Sequence, residues 1–252
     1  MNLIDTNANL GPWPFAPVPD RTGTALAAHL AAAGIRRALV SHLGALFLPE
    51  PMPANRALFA TVRRTPGLIP VPVINPALPN WREQLAECLA AGPIRAVKIL
   101  PNYHRYRLNA RHLDDFMAAL AKAKLRLILN VRLEDDRHKY FALRIKGVPV
   151  PQLAQFLRRF RSHHVLLSGI YKTEVEKLAP DHENFSVEIS LCEMTDTLEI
   201  MLKKFPARRF MLGTDTPVMA TRAQAAKLTG ALIPARTREL IGSGNARRFF
   251  RL

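Results

Sequence analysis

"IDTNANLGPWPF", residues 4–15, is the stretch on which the fold turns. Ile4 sits in a short apolar start that reads as a buried strand, and Gly11-Pro12 ends it. Asn7 and Asn9 lie two residues apart, so a strand points both to the same face. The turn after this strand separates two architectures. A doubly wound open sheet usually carries a glycine-rich phosphate turn after its first strand, and "NLGPWP" is not one. A barrel has no need of that turn.

The rest of the chain has the rhythm of a barrel. Apolar runs recur at Leu3–Asn9, Arg37–Ser41, Leu68–Ile74, Ile94–Ile99, Leu125–Val131, Val165–Ser168, Phe185–Ser190 and Phe210–Gly213. Amphipathic stretches of helical period lie between them, at Ala25–Ala33, Trp81–Ala91, His112–Lys124, Gln152–Phe160, Met194–Phe205 and Arg222–Leu232. In the clearest of these, Leu113, Phe116, Met117 and Leu120 form one stripe. Short strands alternating with helices indicate βα units and a parallel sheet. Eight such strands in 252 residues predict a single-domain (β/α)8 TIM barrel over residues 1–252.

Composition bounds the function. With 48% hydrophobic and 22% charged residues, the chain can build a large core. No apolar run approaches the ~18–20 residues of a membrane helix, so no membrane association is expected. The chain enters a strand at once, which leaves no room for a signal peptide. Cys88 and Cys192, far apart, suggest neither a disulfide frame nor a zinc cluster. A cytoplasmic protein is therefore expected. The 36 Lys+Arg against 20 Asp+Glu give a net charge of +16. That excess suits steering of a small anionic molecule. Nucleic acid is disfavoured as a partner, because the arginines come in scattered pairs with no basic tail or aromatic platform. A homodimer stays open.

Barrel chemistry gathers where the strands end. Those ends supply Asn7 and Asn9, Lys98, Asn130 and Arg132, Ser168, Glu188 with Ser190, and Asp215. The loops beyond them add Trp13, Tyr103, His104 and Arg137. Asparagine both donates and accepts, which suits a carbonyl or carboxylate. Lys98 and Arg132 suit an anionic substrate. Asp215 becomes a general base if burial raises its pKa. Bland readings stand beside each. Lys98 pairs with Asp215 as an internal salt bridge, Arg132 and Arg137 brace the acids at 134–136, and Trp13 is a lid over the core. Near the C-terminus, "IGSGNARRFFRL" reads as a closing helix capped by Ser243 or Asn245.

Three of these segments carry a resemblance. "IDTNANLG" at 4–11, "MLGTDTP" at 211–217 and "GNARRFFRL" at 244–252 resemble the amidohydrolase-related barrels of the amidohydrolase superfamily. In that family strand one reads Asp-x-His-x-His and strand eight reads Gly-Ser/Thr-Asp-x-Pro, with an Asn-Ala-x-x-x-Phe helix at the end. "LPNYHRYRLNARHLDDFM", residues 100–117, looks like a segment of an uncharacterised branch that also carries Asn-x-Asn.

The resemblance implies a divalent metal such as zinc held by histidines on strands one, five and six and by the strand-eight aspartate. Here those histidine positions are Asn7, Asn9, Asn130 and Ser168, and only Asp215 remains. Amides are weak zinc ligands, and a catalytic zinc needs about three protein ligands. No metal and no other cofactor is therefore expected. With those ligands replaced, the resemblance together with the residues left at the mouth implies a metal-independent hydrolase or lyase on a small carboxylated or lactone-like substrate. Asp215 and Lys98 would be catalytic, with Asn7, Asn9, Trp13, Tyr103, His104, Asn130, Arg132, Arg137, Ser168 and Glu188 binding substrate. A catalytically inactive binding or assembly protein is the alternative. A second is a metal-dependent hydrolase whose site is rebuilt from Asp215, Glu188 and His104.

Overall fold

The computed structural model describes residues 2–15, 17–18, 22–48, 50–136 and 145–252, and Arg137 falls outside them. Eight parallel strands run β1 (Leu3–Leu10), β2 (Ile35–His42), β3 (Leu68–Pro70), β4 (Ala96–Ile99), β5 (Arg126–Asn130), β6 (Val165–Ser168), β7 (Phe185–Glu188) and β8 (Phe210–Met211). They pair in chain order as two sheets, β1 to β3 and β4 to β8. Both seams between the sheets are bridged. Lys98 N donates to Pro72 O at 2.9 Å and Ile74 N to Lys98 O at 3.1 Å. On the other side Thr6 N donates to Leu212 O at 2.9 Å and Asn9 N to Thr216 O at 2.7 Å. The expected TIM barrel is the fold observed.

Its helices include α1 (Gly23–Ala32), α2 (Met52–Val62), α3 (Trp81–Ala91), α4 (His112–Lys122), α5 (Val150–Arg159), α6 (Lys172–Leu178), α7 (Thr197–Lys204), α8 (Thr221–Thr229), α9 (Ala235–Glu239) and α10 (Asn245–Phe250). Among the described residues, no helix is long and apolar enough to cross a membrane.

The third strand shows how local chemistry bends to the ring. "LIPVPVI" alternates proline with valine, so the missing N–H groups all fall on one side. The valines keep the pairing: Val71 N donates to Val40 O at 2.8 Å. Val73 N is satisfied by the Asn55 side chain at 2.9 Å. Asn55, on α2, is fully buried by this bond.

The interior of the ring is layered by strand alternation. Ile4, Leu39, Ala96, Ile128, Leu166 and Met211 form a dry lower layer packed against Phe249 and Phe250 of α10. Two residues further along the strands, the same inward face becomes Ser41, Lys98, Asn130, Ser168 and Glu188, every one of them buried. One step of the pleat thus converts a hydrocarbon plug into a polar floor.

The closing helix departs from its expected capping. Ser243 and Asn245 do not cap it, because a π-helical turn at Leu240–Gly244 runs straight into α10. Asn245 instead donates to Ala207 O and Phe210 O, both at 2.8 Å, and ties the plug to the start of β8.

Candidate active site

The polar floor is organised around Asn7. Its carbonyl oxygen accepts from Lys98 Nζ at 2.9 Å. Its amide nitrogen donates to Glu188 Oε1 and to Asp215 Oδ1, each at 3.3 Å. Asn9 donates to the same Asp215 oxygen at 2.9 Å. The expected common face of Asn7 and Asn9 is therefore realised, and both amides converge on one carboxylate. The internal salt bridge between Lys98 and Asp215 takes a different form: the Asn7 amide stands between them, accepting from the cation and donating to the anion.

Burial sets the electrostatics. Lys98 is 3% exposed and Asp215 2%. Burial, then the charge of Glu188, holds the Asp215 carboxyl well above the ordinary carboxylate range, with Lys98 and Asn9 pulling the other way. Burial pushes the Lys98 ammonium below its ordinary value, opposed by the charges of Asp215, Glu188 and Asp5. Asp215 thus keeps its proton to a higher pH than a solvated aspartate does. Its backbone is in the left-handed region at φ 53°, where Val218 N and Met219 N both return to its carbonyl oxygen.

Glu188 is an orienting group more than a free acid. Gly169 N donates to its Oε1 at 2.6 Å and Ser190 Oγ at 2.8 Å, while Ser190 N donates to Oε2 at 2.7 Å. It lies flat against β8 because residue 213 is glycine: a Cβ there would collide with Glu188 Oε2. Gly169 is fixed as firmly, with φ 66° and the Arg132 carbonyl oxygen in the space a Cβ would occupy.

Asp5 completes the cluster, and sequence reading does not single it out. Its carboxylate accepts from Asn7 N at 2.9 Å, Thr214 N at 3.0 Å and the Thr214 hydroxyl. Burial above all lifts its pKa from 3.8 to about 6. An acid inside an otherwise apolar strand is rarely buried without partners, and that signal was present between Ile4 and Thr6.

Other expected site residues are engaged by other parts of the protein. Arg132, expected to bind an anion, forms a two-bond fork with Glu174 of α6 at 2.5 and 2.7 Å and donates to Gly169 O at 2.9 Å. Its guanidinium also stacks on Tyr171, 3.9 Å from the ring centre. That internal pairing takes up its fork. Its brace to the acidic loop is the weaker 3.6 Å contact with Asp136. Asn130 donates to Ser168 Oγ at 3.2 Å and to Arg132 O at 3.1 Å, while its own buried carbonyl oxygen has no partner among the described residues. His104 is turned away from the floor to Ala45 O at 3.0 Å, and burial lowers its pKa. Arg137 lies outside the described residues.

A roof covers the floor. Trp13 packs edge-on against Phe15 at 5.3 Å and meets Phe47 at 5.6 Å. Trp13 and Phe15 share an apolar cluster with Tyr103, Leu100, Leu133 and Val218, all from loops at the strands' C-terminal ends. Burial raises the Tyr103 pKa, with Glu134 and Asp215 adding to it. Among the described residues, no three His, Cys, Asp or Glu side chains converge as metal ligands.

Comparison with solved structures bears on the fold. An uncharacterized TIM-barrel protein from Bordetella bronchiseptica superposes with a TM-score of 0.77 at 18% identity, covering 100% of this chain and 99% of that one. The 5-carboxyvanillate decarboxylase of Sphingomonas paucimobilis gives 0.74 at 15%, covering 100% and 99%. A probable 2-pyrone-4,6-dicarboxylic acid hydrolase from Acinetobacter baumannii, with citric acid bound, gives 0.71 at 15%, covering 100% of both chains. A putative amidohydrolase from Staphylococcus aureus gives 0.76 at 10%, covering 100% of both chains. The chain has their fold. No family model matches it. No curated protein matches it in sequence.

Proposed function

We propose that this barrel is a metal-independent hydrolase or lyase for a small carboxylated or lactone-like substrate. The observation that carries the reading is the buried relay Lys98–Asn7–Asp215–Asn9 at the strands' C-terminal ends. Asp215 is the proton-handling group, since its raised pKa lets it hold and release a proton nearer neutrality. Lys98 holds negative charge developing beside it in a dry site, where a fixed cation acts most strongly. Asn7 and Asn9 orient the Asp215 carboxyl. The roof of Trp13, Phe15 and Phe47 excludes water from the reaction. Decarboxylase and dicarboxylic acid hydrolase neighbours support the substrate class.

The divalent metal that the resemblance implies does not suit these residues. Three amides and a hydroxyl stand at the ligand positions, and the four bonds reaching Glu188 leave its oxygens engaged. The Lys98 ammonium, 2.9 Å from the Asn7 oxygen, repels a dication at that point. We therefore assign no resident metal.

The test is turnover by chelator-treated protein on a panel of lactones, dicarboxylates and aromatic acids. Turnover that is lost in Asp215→Asn, with an unchanged melting temperature, supports the assignment. Turnover that appears only on adding manganese or zinc overturns it. A second reading rests on the roof, which buries the floor as a plug would. If no panel member is turned over but one binds in calorimetry, the barrel is a binding protein.

A further inference from the structure

The opposite end of the barrel holds a cavity that the proposed reaction does not use. Its volume is about 390 Å3, within the range of small-molecule sites. It opens where the parallel strands begin, beneath the plug. Arg126 starts β5, Arg208 and Arg209 precede β8, Arg248 lies on α10, and His164 precedes β6. Among the described residues, Glu183 is the one acid lining it.

Two of these cations, Arg126 and Arg209, are held by backbone carbonyls and aromatic rings instead of by a paired carboxylate. Arg209, 8% exposed, spends its terminal nitrogens on the carbonyl oxygens of His182 and Phe185 and stacks 4.3 Å over the Phe185 ring. Its Nε is buried with no partner among the described residues. Arg126 donates Nε to Phe249 O at 2.8 Å and stacks 5.1 Å over Phe249. Among the described residues, the outer nitrogens of Arg126 and the whole guanidinium groups of Arg208 and Arg248 have no hydrogen-bond or ion-pair partner. The like charges feel one another. Burial and then the charge of Arg251 lower the Arg126 pKa. Burial and then Arg126 and Arg209 lower that of His164.

A second cavity of about 360 Å3 continues the first, shares Arg126 and His164 with it, and adds Lys124 and Arg251. Gathering cations around a hollow costs energy that a bound anion offsets. A single carboxylate would neutralise only a fraction of this charge. Phosphate groups match guanidinium forks in both geometry and charge.

We propose that the basic hollow at the strands' N-terminal ends binds a small molecule carrying more than one phosphate. The site is independent of the barrel mouth. Calorimetry of the full chain with inorganic pyrophosphate, at low salt, tests it. Binding is expected, weakened about tenfold or more for each guanidinium removed in Arg208→Gln and Arg248→Gln. Both residues are exposed, so the fold should survive, and an unchanged melting temperature checks that. Arg107→Gln, at the mouth end, should leave binding unaltered. No binding at millimolar pyrophosphate overturns the proposal. So does equal weakening in Arg107→Gln, which would mean diffuse attraction to net charge. A single-stranded RNA that binds where pyrophosphate does not also overturns it, in favour of a polymer backbone.

Discussion

Asp5→Asn tests the electrostatics of the floor most directly. Asp5 is fully buried, and its carboxyl titrates near 6 in the folded protein against an ordinary 3.8. The folded state therefore binds its proton more tightly than the unfolded chain does. The associated stability is fully present below pH 3.8 and is lost as the pH rises through about 6. At ~1.4 kcal/mol per pH unit, the gap is worth about 3 kcal/mol, of which roughly 2 kcal/mol is lost between pH 4 and 7. Asparagine is nearly isosteric. Its oxygen can still accept from Asn7 N and Thr214 N, and its amide can donate to the Thr214 hydroxyl, which already bonds Thr216 Oγ1. Denaturant unfolding of both proteins at pH 4, 5, 6 and 7 gives the comparison. The variant should gain on the wild type by roughly 2 kcal/mol from pH 4 to 7. A difference that stays flat across that range would refute the claim that burial destabilises the Asp5 anion.

Glu174→Gln should cost about 2–4 kcal/mol in the same assay, because it leaves the buried Arg132 cation without its fork; a cost below ~1 kcal/mol would show that the pair is not structural. Phe250→Ala should cost about 3–5 kcal/mol by opening the plug beneath Ile4, Leu39 and Leu166, and a near-silent substitution would mean that α10 does not close the barrel. Elemental analysis of protein purified without chelator should find metal near zero per chain, whereas a near-stoichiometric amount would return the reading to a rebuilt site. Asn7→His combined with Asn9→His should raise zinc retained through dialysis above wild type, and no increase would mean that Asn130 and Ser168 must also become histidine.

The architecture was readable because a barrel strand needs only a short apolar run and a polar residue at its end, and both are local properties. All eight runs overlap an observed strand. Three helices escaped. α2, "MPANRALFATV", spreads its apolar residues too broadly to form a clean stripe, and α6 and α9 have only seven and five residues. The site was legible in part for the same reason. Strand ends nominate Asn7, Asn9, Lys98 and Asp215, and these do meet. Nothing local could reveal that Arg132 would be claimed by Glu174, 42 residues on, since that depends on how α6 sits beside β5. Nor could it show that the arginines at 126, 208, 209 and 248 share one hollow.

The seam between β1 and β8 has a consequence for assembly. Asp5 meets Thr214 across 209 positions of chain, and Asn9 meets Asp215 across 206. Contacts this remote are formed late, because the long intervening loop must first be drawn together. Until residues 212–216 arrive, Asp5, Asn7 and Asn9 line an unpaired edge that water can solvate. A half-barrel without residues 212–216 would therefore lack the relay, whose burial depends on β1 meeting the segment after β8. Hydrogen exchange at Asn9 and Asp215 should accordingly report global opening, with no slower or faster class of its own.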